Sequence, residues 1–180
     1  MSGVNATGKN YNNWTAKTSE KIAKQGEKFI YSDDKSNNFI VSSNPVGSTE
    51  YYGDFVNFTR SYIDEYDKND DDAISFDEFV AKETAMAKEQ GAEIPDEATL
   101  KKVFDRLNLV KDGEFADKLS EKEIFSYFMA LDSFYETDGQ VSPKEFFSIA
   151  AAIQDPSDKP DGFGAQVTQY LKTIYNKIFG

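Results

Sequence analysis

The sequence predicts an all-α protein with short interhelical loops. Three observations carry that prediction. Apolar residues recur at helical spacing through most of the chain beyond residue 48. Ser-x-x-Glu signatures, which satisfy the free N–H groups of a first helical turn, open several of these stretches. No run between them alternates apolar and polar residues for the length of a strand.

The helices follow in order. "STEYYGDFVNFTRSYIDEY" opens with Ser48 and Thr49, good capping residues, and carries Phe55, Thr59, Tyr62, Ile63 and Tyr66 on one face. "FDEFVAKETAMAKEQG" is a second helix, stopped by Gly91. "IPDEATLKKVFDRLN" has Pro95 near its first turn and aligns Leu100, Val103, Phe104 and Leu107. "SEKEIFSYFMALD" starts at Ser120 with Glu123 three residues later, and "SPKEFFSIAAAI" repeats the signature with Ser142, Pro143 and Glu145. "AQVTQYLKTIYNKIFG" aligns Val167, Tyr170, Leu171, Ile174, Tyr175 and Ile178. Two roles are open to that last helix: an ordinary core helix, or a built-in ligand filling the protein's own groove. Residues 1–47 are rich in Ser, Asn, Gly and Lys, with one helix expected around Trp14 to Ile30. The chain therefore divides into an N-terminal segment, 1–47, partly helical or flexible, and a helical domain, 48–180.

Composition narrows the function. There are 32 Asp and Glu against 20 Lys and Arg, a formal net charge of -12. Such a protein repels phosphate backbones, so nucleic acid is not an expected partner. Histidine and cysteine are both absent, which excludes histidine-based catalysis, disulfides and soft metal sites of Cys and His. Oxygen remains as the metal donor, and oxygen suits hard cations. No apolar run is long enough to span a membrane, and the N-terminus lacks a signal-like pattern, so a cytoplasmic location is expected. Asn-x-Thr patterns at Asn5, Asn13 and Asn57 matter only in a eukaryotic secretory pathway.

"DKNDDDAISFDE", Asp67 to Glu78, concentrates the oxygen donors. A calcium ion takes six to eight oxygens, and a loop of about 12 residues between two helices supplies them from positions 1, 3, 5, 7, 9 and 12. Those positions are Asp67, Asn69, Asp71, Ala73, Ser75 and Glu78. Ala73 can offer only its backbone carbonyl, Ser75 acts directly or through water, and Glu78 gives both oxygens. Ile74 stands at position 8, turned to the core, where its backbone can form a short two-stranded contact with a second loop. The stretch resembles an EF-hand calcium-binding loop. The resemblance implies apolar residues one, four, five and eight places before the loop, here Tyr66, Ile63, Tyr62 and Thr59, and Phe79 after it fits the outgoing helix. Position 6, usually Gly, is Asp72; aspartate tolerates the positive φ needed there better than most residues, so weaker binding is expected.

The ending of this loop recurs twice, as Leu119-Ser120 with Glu123 and as Val141-Ser142 with Glu145. The second loop begins either at Asn108, about four residues longer than the usual 12, or at Asp112 with Ala116 at a ligand position. Asp112, Glu114, Asp117 and Glu123 are its candidate ligands. The third begins at Asp132, about two residues longer than usual, or at Phe134, which cannot ligate. Asp132, Glu136, Asp138, Gln140 and Glu145 are its candidates, with Gly139 at the turn. One short helix serves both as the outgoing helix of the second unit and the incoming helix of the third. "DPSDKPDGFGAQ", 155–166, has Lys159 and Gln166 at ligand positions and is expected to be a metal-free connector. "DDKSNNFIVSSN", 33–44, has no apolar helix before it and is expected to be a polar loop.

The expected fold is thus all-α, with EF-hand repeats and short β contacts between paired loops. The expected function is calcium binding, without catalysis, as a buffer or a dedicated sensor that meets a protein or peptide in an apolar groove. The low count of 3 Met argues against a promiscuous sensor. A calcium-stiffened structural protein and a magnesium-dependent phosphoryl-handling enzyme are the alternatives. The second lacks a Gly-rich phosphate loop.

Overall fold

A computed structural model describes residues 39–180. The helix expected around Trp14 to Ile30, and the patterns at Asn5 and Asn13, lie outside the described residues. The elements run β1 (Phe39–Ile40), α1 (Thr49–Tyr66), α2 (Phe76–Glu89), α3 (Glu97–Leu107), α4 (Glu121–Ser133), β2 (Gln140–Val141), α5 (Pro143–Ile153) and α6 (Phe163–Phe179). The described chain is mostly helical, as expected.

The helix starts follow the capping chemistry. Ser48, Ser75, Ser120 and Ser142 each accept the N–H three residues on, satisfying a donor that has no partner inside the helix. Glu78, Glu123 and Glu145 reach back to the N–H of the last three of these serines, closing three capping boxes. α3 begins after Pro95, because the Asp96 carboxylate takes the Thr99 N–H and becomes the cap. α2 stops where Gly91 turns to φ 63°, a conformation glycine adopts without cost.

One apolar core joins the six helices of the described residues. α4 lies at its centre, between α1 and α6. The Phe58 ring meets Phe128 edge-on at 4.7 Å, and Phe79 meets Phe104 at 5.8 Å. Val167 and Leu171 of α6 are buried in the same cluster, as both roles open to the last helix require. Each fully buried side chain of this size contributes about 1.5–3 kcal/mol relative to exposure.

The segment read as a polar loop, 33–44, is not one over its described part. Phe39, Val41 and Ser42 are buried, and Phe39 packs on Phe58 at 5.1 Å. β1 and β2 pair antiparallel, with Phe39 opposite Val141 and Ile40 opposite Gln140. Phe39 and Val41 point inward while Ile40 between them is exposed, the period-2 alternation of a strand. The packed unit therefore begins upstream of residue 48, where the domain was expected to start. Two residues of strand are too short for alternation to announce itself. Among the described residues, no helix is long and apolar enough to cross a membrane.

Candidate metal centre

The loop between α1 and α2 wraps around one carboxylate. Asp67 ends α1, its own N–H still bonded to the Ile63 carbonyl. Its Oδ1 accepts the N–H groups of Asp70 and Asp71, at 2.9 and 3.3 Å, and its Oδ2 accepts that of Asp72 at 2.8 Å. The chain can bend this tightly because Asp70 and Asp72 take φ values of 62° and 61°. Asp72 was expected to do so; Asp70 was not, although both are residues that tolerate it.

The bend turns three acids toward one point. Asp67, Asp71 and Glu78 each offer an oxygen, and these oxygens lie within 4.8 Å of one another; among the described residues no other group of three acidic side chains does so. Glu78 is buried and held from both sides: Ser75 N–H donates to Oε1 at 2.8 Å and Lys68 N–H donates to Oε2. Burial alone would raise its pKa, but these N–H donors outweigh it and hold the carboxyl below its usual range. Asp71 is held low as well, first by the Lys118 ammonium in contact with its Oδ2 and then by the Ala73 N–H on Oδ1. Asn69 also bonds the Asp71 carboxylate through its side chain. Ser75 spends its hydroxyl oxygen on the Glu78 N–H, and Ala73 is buried. A carboxylate has about four acceptor sites, so these bonds leave Glu78 and Asp71 able to take a cation.

The backbone of Ile74 pairs with that of Leu119, N–H to carbonyl in both directions at 2.9 and 2.8 Å. This is the loop-to-loop contact expected of position 8, and it makes the second loop the partner of the first. Val141 of the third loop has the same kind of partner in Phe39.

The third loop copies the first with an offset. Asp132 at the end of α4 accepts the N–H groups of Asp138 and Gly139, as Asp67 accepts those of Asp71 and Asp72. Asp138 Oδ1 takes the Gln140 N–H as Asp71 Oδ1 takes that of Ala73. This correspondence favours Asp132 over Phe134 as the start and places the two extra residues just after it. Gly139, φ 80°, abuts the Ser42 carbonyl, where a side chain would collide. The electrostatics differ from the first loop. Asp132 is fully buried, and burial pushes its pKa up to about 6 although the Tyr51 hydroxyl donates to it at 2.6 Å. Burial likewise pushes Glu145 up to about 7. Glu136 is exposed and contributes its N–H, not its carboxylate, to Glu145 Oε2. These candidates are not drawn together as the first set is.

The second loop departs most. Asn108 ends α3 as Asp67 ends α1, and its Nδ2 donates to the Ala116 carbonyl at 2.9 Å. Its Oδ1 is buried and has no hydrogen-bond partner. Glu123 is buried with its oxygens on the Ser120 and Val110 N–H groups, and burial raises its pKa. Asp112 and Glu114 are exposed and line, with Glu123, an apolar cavity of about 610 Å³ walled by Tyr52, Phe125 and Phe179.

The 155–166 connector is occupied by a protein cation. Arg106 of α3 donates through Nη1 to the carbonyls of Ile153 and Asp155, at 2.8 and 2.7 Å, and through Nη2 to that of Ser157 at 3.0 Å. Gln166 lies inside α6. Sequence reasoning missed Arg106 and Lys118, because each acts on a loop distant in sequence. No protein-family model matches this chain, and neither a curated protein nor a solved structure does, so the reading of its site rests on the geometry alone.

Proposed function

We propose that the chain binds a divalent cation, calcium by the spacing of its loop, in an EF-hand-like loop at 67–78. The observation that carries this is the convergence of Asp67, Asp71 and Glu78, two of them held in the ionised state that a metal ligand needs. All three are hard oxygen donors, which favours calcium or magnesium over softer metals. The residues that would hold the ion are Asp67, Asn69, Asp71, the Ala73 carbonyl, Ser75 and Glu78. The role is that of a buffer or a dedicated sensor, without catalysis. The second and third loops serve first as packing partners, since their acids do not converge as the first set does and burial raises the pKa of Glu123, Asp132 and Glu145.

The test is calorimetric calcium titration in the presence of magnesium. Wild type should show heat for one dominant site. Glu78→Gln keeps the shape of the side chain and removes its charge, so affinity should fall by about tenfold or more, since ligand charge tunes affinity. Identical titrations of the two proteins would remove the assignment.

A further inference from the structure

The acid cluster of the first loop is served by a cation from another loop. Lys118 Nζ contacts Asp71 Oδ2, and Glu78 lies close enough to add to the field at the ammonium. The contact is built into the backbone. Lys118 immediately precedes Leu119, whose N–H and carbonyl are exchanged with those of Ile74. The bridge therefore fixes where the lysine stem starts, one residue before Leu119. Both side chains of the pair are about three-quarters buried, at 29% and 25% exposure, so the charge is neither free in solvent nor sealed in the core.

We propose that Lys118 sets the affinity of the 67–78 site by competing with the divalent cation for Asp71. This inference rests on the reading of that loop as a cation site. An ion ligated by Asp71 must share the carboxylate with the ammonium or displace it. Either way it meets a positive charge a few ångströms away. A divalent ion and a unit charge at about 6–7 Å, at an effective dielectric of about 40 and with salt screening over about 8 Å, repel enough to weaken binding by about tenfold. Displacement also frees the lysine side chain from the first loop. The ion would thus be sensed by the second loop, which has no converged acid set of its own among the described residues. The ligand class is a small divalent cation. A monovalent ion gains too little from the cluster to exchange with an ammonium already in place.

The experiment compares calcium titrations of wild type, Lys118→Met and Lys118→Arg, each with magnesium present. Methionine keeps most of the stem and removes the charge; arginine keeps the charge. The expected result is about tenfold tighter binding by Lys118→Met and little change in Lys118→Arg. Melting in chelator checks that each variant folds, and Lys118→Gln is the second neutral variant if the methionine protein does not. Binding by the neutral variants that is equal to or weaker than wild type overturns the inference while leaving the site standing. Folded proteins that give no calcium heat at all, wild type included, overturn the site and the inference with it.

Discussion

Replacing Arg106 with methionine removes the cation that organises the 155–164 turn while keeping the apolar stem. The Arg106 side chain is only 11% exposed and spans three carbonyls. One of them, Ile153, is the last residue of α5, whose final carbonyls have no partner inside the helix. Hydrogen bonds from a charged donor contribute about 1.5–3 kcal/mol each. The turn lies at the surface, so water recovers part of that when the guanidinium is gone. Allowing for recovery, the net cost is about 3 kcal/mol. For a domain of this size that corresponds to a fall in Tm of about 6–12 °C. Arg106→Lys keeps the charge but lacks the planar fork that reaches several carbonyls, so about half the loss is expected. The assay is two-state thermal melting by circular dichroism, checked by urea denaturation. Lys102→Met is the control, since Lys102 reaches the same turn at Pro156 and at an exposed Asp158 and should cost less than about 1 kcal/mol. An Arg106→Met protein that melts within about 2 °C of wild type would refute the idea that this side chain holds the turn.

Three further outcomes follow from the packing. Gly139→Ala should lower stability by more than about 2 kcal/mol in urea, because φ is 80° there and a Cβ would press on the Ser42 carbonyl. Thr59→Val should raise stability by up to about 1 kcal/mol in calorimetry, since the Thr59 hydroxyl is fully buried without a partner; a loss would mean that the hydroxyl is satisfied after all. Tyr51→Phe should cost about 1–3 kcal/mol by denaturant melting, because it strips a hydrogen bond from buried Asp132.

The helices were legible because their signals are local. Ser120 with Glu123 and Ser142 with Glu145 announce capping boxes within four residues, and both form. Thr59, the weak member of the apolar face of α1, was placed correctly by period although its chemistry fits poorly. The pairing of Ile74 with Leu119 was legible because both precede the same Ser-x-x-Glu ending. What was not legible depends on residues that meet only in three dimensions. Phe39 reads as part of a polar stretch until Phe58 and Val141 supply its partners. Tyr51 gives no sign in sequence of reaching Asp132, and Lys118 gives none of reaching Asp71. The acids of the second loop looked like ligands by count, yet a count says nothing about convergence. Asp112 and Glu114 point to a cavity wall, and Asn108 turns its amide to Ala116.

α4 is a single helix with Glu123 in its first turn and Asp132 near its last, and each residue closes a different loop. A helix turns by about 100° per residue. Adding or removing one residue between them would swing one carboxylate a quarter-turn and more away from its loop while leaving the other in place. The helix is therefore a phase gauge, and its length in residues is constrained as tightly as the identity of the acids at its ends. Substitutions along its outer face are tolerable in a way that insertions are not. A change of a full heptad would restore the phase but lengthen the rod by about 10 Å, too far for Tyr51 to meet Asp132 across the core.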